Sequence, residues 1–194
     1  MAAGQHGGVT APHEEDPKDP FRLGDDPGWR PGPGGGPDGL IALRYLFLAF
    51  CSALLLIGVV VGFLASDTDR FAGGPSAWAV AAGVALVGAL GLLFVRFVPV
   101  RLDCADELAL ARSWRSRFFA RMAGAEASAF AGFVGFALTG APALYPLGLS
   151  FTAVGFALAG PFRANLIRDQ EQLALDGCPI SLVPALRHTV STDR

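Results

Sequence analysis

Charged residues are scarce in this chain of 194 residues. They make up 16 % of the sequence, whereas a soluble domain usually carries about 25 %. Apolar residues account for 52 % and are collected into long runs, with a mean hydropathy of +0.45. We therefore expect an integral membrane protein with the lipid bilayer as its first partner. The net charge of −2 gives no bias toward nucleic acid, so no nucleic-acid partner is expected.

Residues that hold metals or perform catalysis are also few. Of three cysteines, Cys51 lies in an apolar run, and Cys104 and Cys178 lie in polar segments. Because the number is odd and no two have CxxC spacing, we expect neither a disulfide scaffold nor a zinc site. Ser128 and Ser150 lie in apolar runs without a histidine or lysine beside them. We therefore predict no cofactor, no metal site, no catalytic residue and no small-molecule ligand: a protein that is not an enzyme.

Lysine is almost absent: the sequence contains one lysine, Lys18, and fourteen arginines. Together with the abundant Ala and Gly, this composition is typical of a GC-rich genome, and we expect a bacterial protein.

Residues 1–40 are polar, rich in Pro, Gly and Asp, and end in "RPGPGGGPDG". Such a segment cannot bury enough apolar surface to offset its ordering entropy, so we predict a disordered tail.

The apolar runs have the lengths of membrane helices. Residues 41–65 include 21 uncharged positions after Arg44, or about 31 Å of helix, and residues 76–95 form a second run. Residues 127–162 are uncharged at 36 successive positions, about 54 Å as one helix, so this run must turn. The turn signal is "TGAP" at 139–142. The sequence predicts an all-α integral membrane four-helix bundle with spans at 41–65, 76–95, 118–139 and 144–161.

Arginine placement predicts the orientation of these spans. Ten arginines lie at or near the ends of the predicted spans on the same side of the membrane as the N-terminus. Only Arg70 lies in a loop on the opposite side. The ten are Arg30, Arg44, Arg96, Arg101, Arg112, Arg115, Arg117, Arg121, Arg163 and Arg168. The positive-inside rule then places both termini in the cytoplasm of a bacterial plasma membrane. The cytoplasmic parts are the tail 1–40, an arginine-rich loop 96–117 within the membrane domain 41–162, and an amphipathic C-terminal tail 163–194.

Glu126 is the only acid within the four predicted spans. Residues 127–139 supply 13 positions, about 20 Å of helix, so the third span must include Glu126 to cross the membrane. An ionised carboxylate there is costly unless it is paired, hydrated or protonated. Two main interpretations are open: an ion pair with Arg44, or a proton- or ion-binding role for Glu126.

The segment around this acid resembles a helix of a known family. Residues 125–132, "AEASAFAG", are similar to the carboxylate-bearing helix of ATP synthase subunit c, in which small residues and a glycine follow the acid. The resemblance implies that Glu126 carries a proton and that Gly132 matches the following glycine. It covers eight residues, and the preceding span lacks the alternating glycines of that family, whose members are two-helix hairpins.

Two rows of small residues recur every four positions and predict close helix packing. They are Ala77, Ala81, Ala85 and Ala89 in the second span, and Gly124, Ser128 and Gly132 in the third. In lipid, such rows let helix backbones approach closely. The spacing fits packing within one bundle and self-association equally well.

The favoured functional hypothesis is a small multi-pass membrane protein with a non-catalytic accessory or interaction role in a membrane complex. It follows from sizeable cytoplasmic segments and from the lack of a nucleophile–base set, metal cluster or phosphate loop in the sequence. The alternative is a small proton-coupled transporter or proton-conducting protein that uses Glu126.

Overall fold

The structure, a computed structural model, describes residues 26–29, 38–65, 76–97 and 100–187. These residues form six helices and no strand. The helices are α1 (Gly39–Leu64), α2 (Ala77–Phe97), α3 (Glu107–Thr139), α4 (Leu144–Ala159), α5 (Arg163–Leu175) and α6 (Leu182–Arg187). The all-α prediction is confirmed for this part of the chain. Most of the tail predicted to be disordered, residues 1–40, lies outside the described residues.

Three helices, α1, α2 and α3, are long and apolar enough to cross a membrane. A fourth crossing is available only if α4 and α5, which bend by 54° at a short break, are taken as one span. With 16 residues α4 measures about 24 Å, less than the hydrocarbon core of a bilayer at about 30 Å. It ends at Ala159 because Gly160 has an extended backbone before Pro161, the conformation that a following proline favours.

The helix ends follow from side chains at their boundaries. Asp38 caps α1, with its Oδ1 accepting from the amides of Leu40 and Ile41 at 2.9 and 3.3 Å. Asp106 caps α3 by accepting from the Ala109 amide at 2.7 Å. Helix α3 therefore begins within the predicted arginine-rich loop 96–117 and continues into the third predicted span without a break.

Helix α3 is the centre of the fold. It packs mainly against α4 and α2, which also contact each other, while α1 makes less extensive contacts with α6, α4 and α3. The turn between α3 and α4 begins at Gly140, which has a φ of 69° in the left-handed region that glycine adopts readily. This is the turn expected at 139–142.

Glycines allow the backbones of α3 and its neighbours to touch. A Cβ atom on Gly132 would lie 2.5 Å from the Leu144 carbonyl oxygen, and one on Gly91 would lie 2.6 Å from the Gly124 carbonyl oxygen. A Cβ atom on Gly148 would overlap the Ser128 carbonyl oxygen in the same way. No larger residue fits at these three positions without separating the helices.

The two predicted rows of small residues have different surroundings. In α3, Ser128 and Gly132 are buried against α4, and Gly124 is half-buried against α2. In α2, Ala77 and Ala89 are exposed and Ala81 and Ala85 are half-buried. The buried face of α2 instead carries Val84, Gly88 and Val95. The packing of α2 therefore uses a face next to the alanine row.

We predict that Gly132→Ala destabilises the protein while Gly83→Ala does not. The added methyl group at position 132 meets backbone of α4, and overpacking of this kind costs about 1–3 kcal/mol. A methyl group at position 83, also in a helix, has no atom within 4 Å. Thermal unfolding in detergent measures both variants. Equal melting temperatures for the two would contradict the close approach of α3 and α4.

Candidate functional site

Arg44 is the centre of a buried polar cluster at the arginine-rich end of the molecule. Only 2 % of its surface is exposed. Its Nη1 and Nη2 donate to the two carboxylate oxygens of Asp26 at 2.7 and 2.9 Å, a bidentate pair. Nε donates to the Pro161 carbonyl oxygen at 3.2 Å, and Nη1 also donates to the Gly28 carbonyl oxygen. We call Arg44 and the segment Asp26–Trp29 the Arg44 cluster.

Trp29 completes this cluster with an aromatic contact. The Arg44 guanidinium carbon lies 5.4 Å from the centre of the Trp29 ring, within cation–π range. The same ring lies 5.9 Å from the Phe162 ring, just after α4. Residues 26–29, from the tail predicted to be disordered, are thus attached to α1 and to the α4–α5 connection.

The charge of Asp26 depends on this environment. The Arg44 guanidinium, hydrogen-bonded to Asp26, holds the pKa of that carboxyl below its ordinary value, and nearby Arg163 acts in the same direction against the effect of burial. Because the pKa is lowered, the stabilisation is complete above the ordinary value of about 3.9 and is lost as the pH falls through the lowered pKa. The pair is therefore ionic at neutral pH.

The structure does not form the predicted pair between Arg44 and Glu126. Arg44 donates its hydrogen bonds to Asp26, Gly28 and Pro161 instead. The sequence prediction considers only charged residues within the predicted spans, and these three residues are not among them. Glu126 is half-buried in α3, and no other described residue forms a hydrogen bond or ion pair with it.

A second buried charge, Asp169, joins α5 to α3. Its Oδ2 accepts from Trp114 Nε1 at 2.9 Å and lies 3.6 Å from Arg121 Nη1. All three residues are buried. Moving α5 away from α3 would separate this buried ion pair and leave uncompensated charges. The contacts of Asp169 therefore fix the position of α5 against α3.

Helix α6 closes the same end of the molecule. The Leu182 amide donates to Gln170 Oε1 at 2.6 Å, and Leu182, Ala185 and Leu186 are fully buried. Arg187 Nε donates to Asp38 Oδ2 at 2.8 Å, so that α6 is attached to the start of α1. Part of the predicted amphipathic tail 163–194 thus forms a packed cap.

Cys104 and Cys178 form a disulfide between the segment before α3 and the turn after α5. This corrects the expectation that these cysteines form no disulfide. They are 74 positions apart, and the packing of the cap against α3 brings their Cα atoms to 5.8 Å, within the usual range. Cys51 is free and half-buried in α1. In the described part of the chain, no group of three or more His, Cys, Asp or Glu is placed to hold a metal ion.

Ser128 and Thr152 form a buried polar contact between α3 and α4. Their hydroxyl oxygens are 2.9 Å apart, and Thr152 Oγ1 donates to the Ala125 carbonyl oxygen at 2.8 Å. Ser128 Oγ donates within this network to the Gly148 carbonyl oxygen at 3.0 Å. Both hydroxyls are hydrogen-bonded to protein, so this pair contributes to the association of α3 with α4.

An apolar groove of about 420 Å³ separates α1 from α4. Its lining includes Phe47, Cys51 and Leu54 from α1 and Leu149, Ala153 and Phe156 from α4. At one end the Tyr145 hydroxyl donates to the Leu54 carbonyl oxygen and joins the two helices. At the other end Phe162 also lines the groove, and its ring lies 5.3 Å from the Phe47 ring.

The cluster and the groove cannot be assigned by likeness to known proteins, because no family model, curated protein or solved structure matches the chain. Sequence reasoning also missed several of their residues. Asp169 and Gln170 lie between Leu166 and Leu173 on the buried face of α5, and this spacing is a signal that could have identified them. Trp29, the one tryptophan of a Pro- and Gly-rich tail, is a comparable signal.

Proposed function

We propose that the protein is a small multi-pass protein of a bacterial plasma membrane, with a non-catalytic accessory or interaction role in a membrane complex. In this proposal α1, α2 and α3 each cross the bilayer, and α4 with the start of α5 makes the fourth crossing of a four-helix bundle. The apolar surfaces of α1 and α2, on which Leu55, Phe63 and Leu86 are more than half exposed, are suited to lipid.

The observation that carries the proposal is that the buried polar side chains named above hydrogen-bond to other parts of the same chain. Arg44, Asp169 and Gln170 each bind another part of the chain, and Ser128 with Thr152 joins two helices. These contacts position structural elements. They support a protein whose function is performed by its surface.

Helix α5 offers a surface for a protein partner. Arg168, Glu171 and Leu175 are exposed and are spaced to lie on one helical face. Leu175 is 82 % exposed on a helix that is otherwise largely polar. A large apolar side chain beside two charges is a suitable anchor for a polar-rimmed interface.

We predict that extraction in mild detergent recovers the protein in a defined larger complex, and that Leu175→Ser weakens it. Loss of an apolar interface anchor commonly costs more than about 1 kcal/mol, or a five-fold loss of recovered partner. Ala174→Ser, at the exposed neighbouring position, is the control. The measurement is size-exclusion chromatography with quantitative mass spectrometry. A clean monomer or homo-oligomer of the wild type would count decisively against the proposal.

The proposed orientation places both termini and the Cys104–Cys178 disulfide on the cytoplasmic side. Support comes from the arginines at this end, since Arg96, Arg101, Arg112 and Arg163 are all exposed there. Persistent disulfides are rare in the cytosol, where those that form are usually transient or regulatory. The orientation thus implies that this disulfide opens and closes in the cell.

A reporter after residue 194 tests the orientation. Green fluorescent protein fused there is expected to fluoresce, because it folds in the cytoplasm and stays dark when exported unfolded, whereas alkaline phosphatase at the same site is expected to be inactive. The two reporters are each other's control. An active phosphatase fusion beside a dark fluorescent fusion would place the C-terminus, and the disulfide, outside.

A proton-coupled transporter or proton-conducting protein is the second candidate function. Glu126 favours it, because this acid is half-buried in a candidate span and has no ion-pair partner among the described residues. Intramembrane acids of this kind commonly belong to proton or ion pathways.

We predict for this candidate that Glu126→Gln abolishes proton flux into liposomes, since the amide keeps the shape but cannot bind and release a proton. Glu171→Gln, which removes an exposed acid on α5, is expected to leave the flux unchanged. The measurement is quenching of a pH-sensitive dye inside the vesicles. Absence of flux with the wild-type protein would remove the basis of this candidate.

A further inference from the structure

The α1–α4 groove adjoins the Arg44 cluster through two aromatic rings. Phe162 lines the end of the groove and contacts the Trp29 ring, and Trp29 in turn covers the Arg44 guanidinium. Along α1, Arg44 lies ten positions before Leu54, which is about 15 Å of helix. The apolar groove therefore lies beside a buried cation, and the Phe162 and Trp29 rings lie between the two.

Arg44 and Arg163 both act on one carboxylate, that of Asp26, which comes from the tail segment and not from a helix. The two N–H donors with which a guanidinium binds a carboxylate bidentately can bind a phosphate in the same way once the carboxylate has left. Arg44 thus has the donor geometry for the phosphate of an anionic headgroup.

We propose that the α1–α4 groove binds one acyl chain of an anionic phospholipid, whose phosphate displaces Asp26 from Arg44. The segment Asp26–Trp29 is then a built-in competitor that closes the site when the lipid is absent. The inference rests on the proposed membrane location. It goes beyond the proposed function because it assigns a ligand and a segment that competes with this ligand for Arg44.

The test uses the full-length protein reconstituted into vesicles of equal phosphatidylglycerol and phosphatidylcholine, with native mass spectrometry of the lipids that stay bound after extraction. The wild type is expected to retain phosphatidylglycerol over phosphatidylcholine by roughly ten-fold, the equivalent of about 1.4 kcal/mol. Asp26→Asn is expected to raise bound phosphatidylglycerol several-fold, because it removes the competing charge. Flotation of the vesicles reports membrane insertion separately, so failure of the membrane location is distinguishable from failure of this inference.

Filling the groove provides the decisive variant, because replacing Arg44 could disrupt folding. Ala153 lines the groove and is exposed, so Ala153→Trp occupies the acyl-chain position and is expected to abolish selective retention. Val154→Trp adds the same side chain to an exposed neighbouring position outside the lining and is the matched control.

Three results would overturn the inference. Equal retention of both phospholipids by the wild type would show ordinary boundary lipid. Equal retention by the two tryptophan variants would show that the groove is not the site. Cross-linking of a second copy or another protein through the groove would replace the lipid with a protein occupant.

Discussion

The close contact between α3 and α4 is the constraint on which the rest of this structure depends. Gly132 and Gly148 bring backbone against backbone, and the Ser128–Thr152 hydroxyl pair can form only because the helices are so near. In an apolar medium there is little hydrophobic drive between helices, so dispersion contacts and hydrogen bonds must hold them together.

The bend after α4 turns the chain so that α5 covers the charged end of the molecule. Asp169 reaches Trp114 and Arg121 on α3 only because α5 leaves α4 at 54°. The same bend places Pro161, whose carbonyl oxygen receives a hydrogen bond from Arg44. Asp26 and Asp169 thus pair with the buried Arg44 and Arg121 within the chain, which lowers the cost of burying these charges.

Among the long helices, α1 makes the least extensive contacts with the rest of the fold, and this bears on the proposed lipid site. It is joined to α4 by the Tyr145 hydroxyl at one end and by Phe47 against Phe156 and Phe162 at the other. Between these contacts the helices diverge and leave the groove. A helix fixed at two points, with apolar space between them, can accommodate a lipid chain without disturbing the α3–α4 seam.

The sequence by itself determined that the long apolar segments are helices. Run lengths predicted helices near 41–65 and 76–95, and the glycine at 140 predicted the turn, because these signals are local along the chain. Only the tertiary structure decided that Arg44 pairs with Asp26 instead of Glu126, and that Cys104 reaches Cys178. Those contacts join segments far apart in sequence, and their formation depends on how helices pack and bend, which residue spacing does not encode.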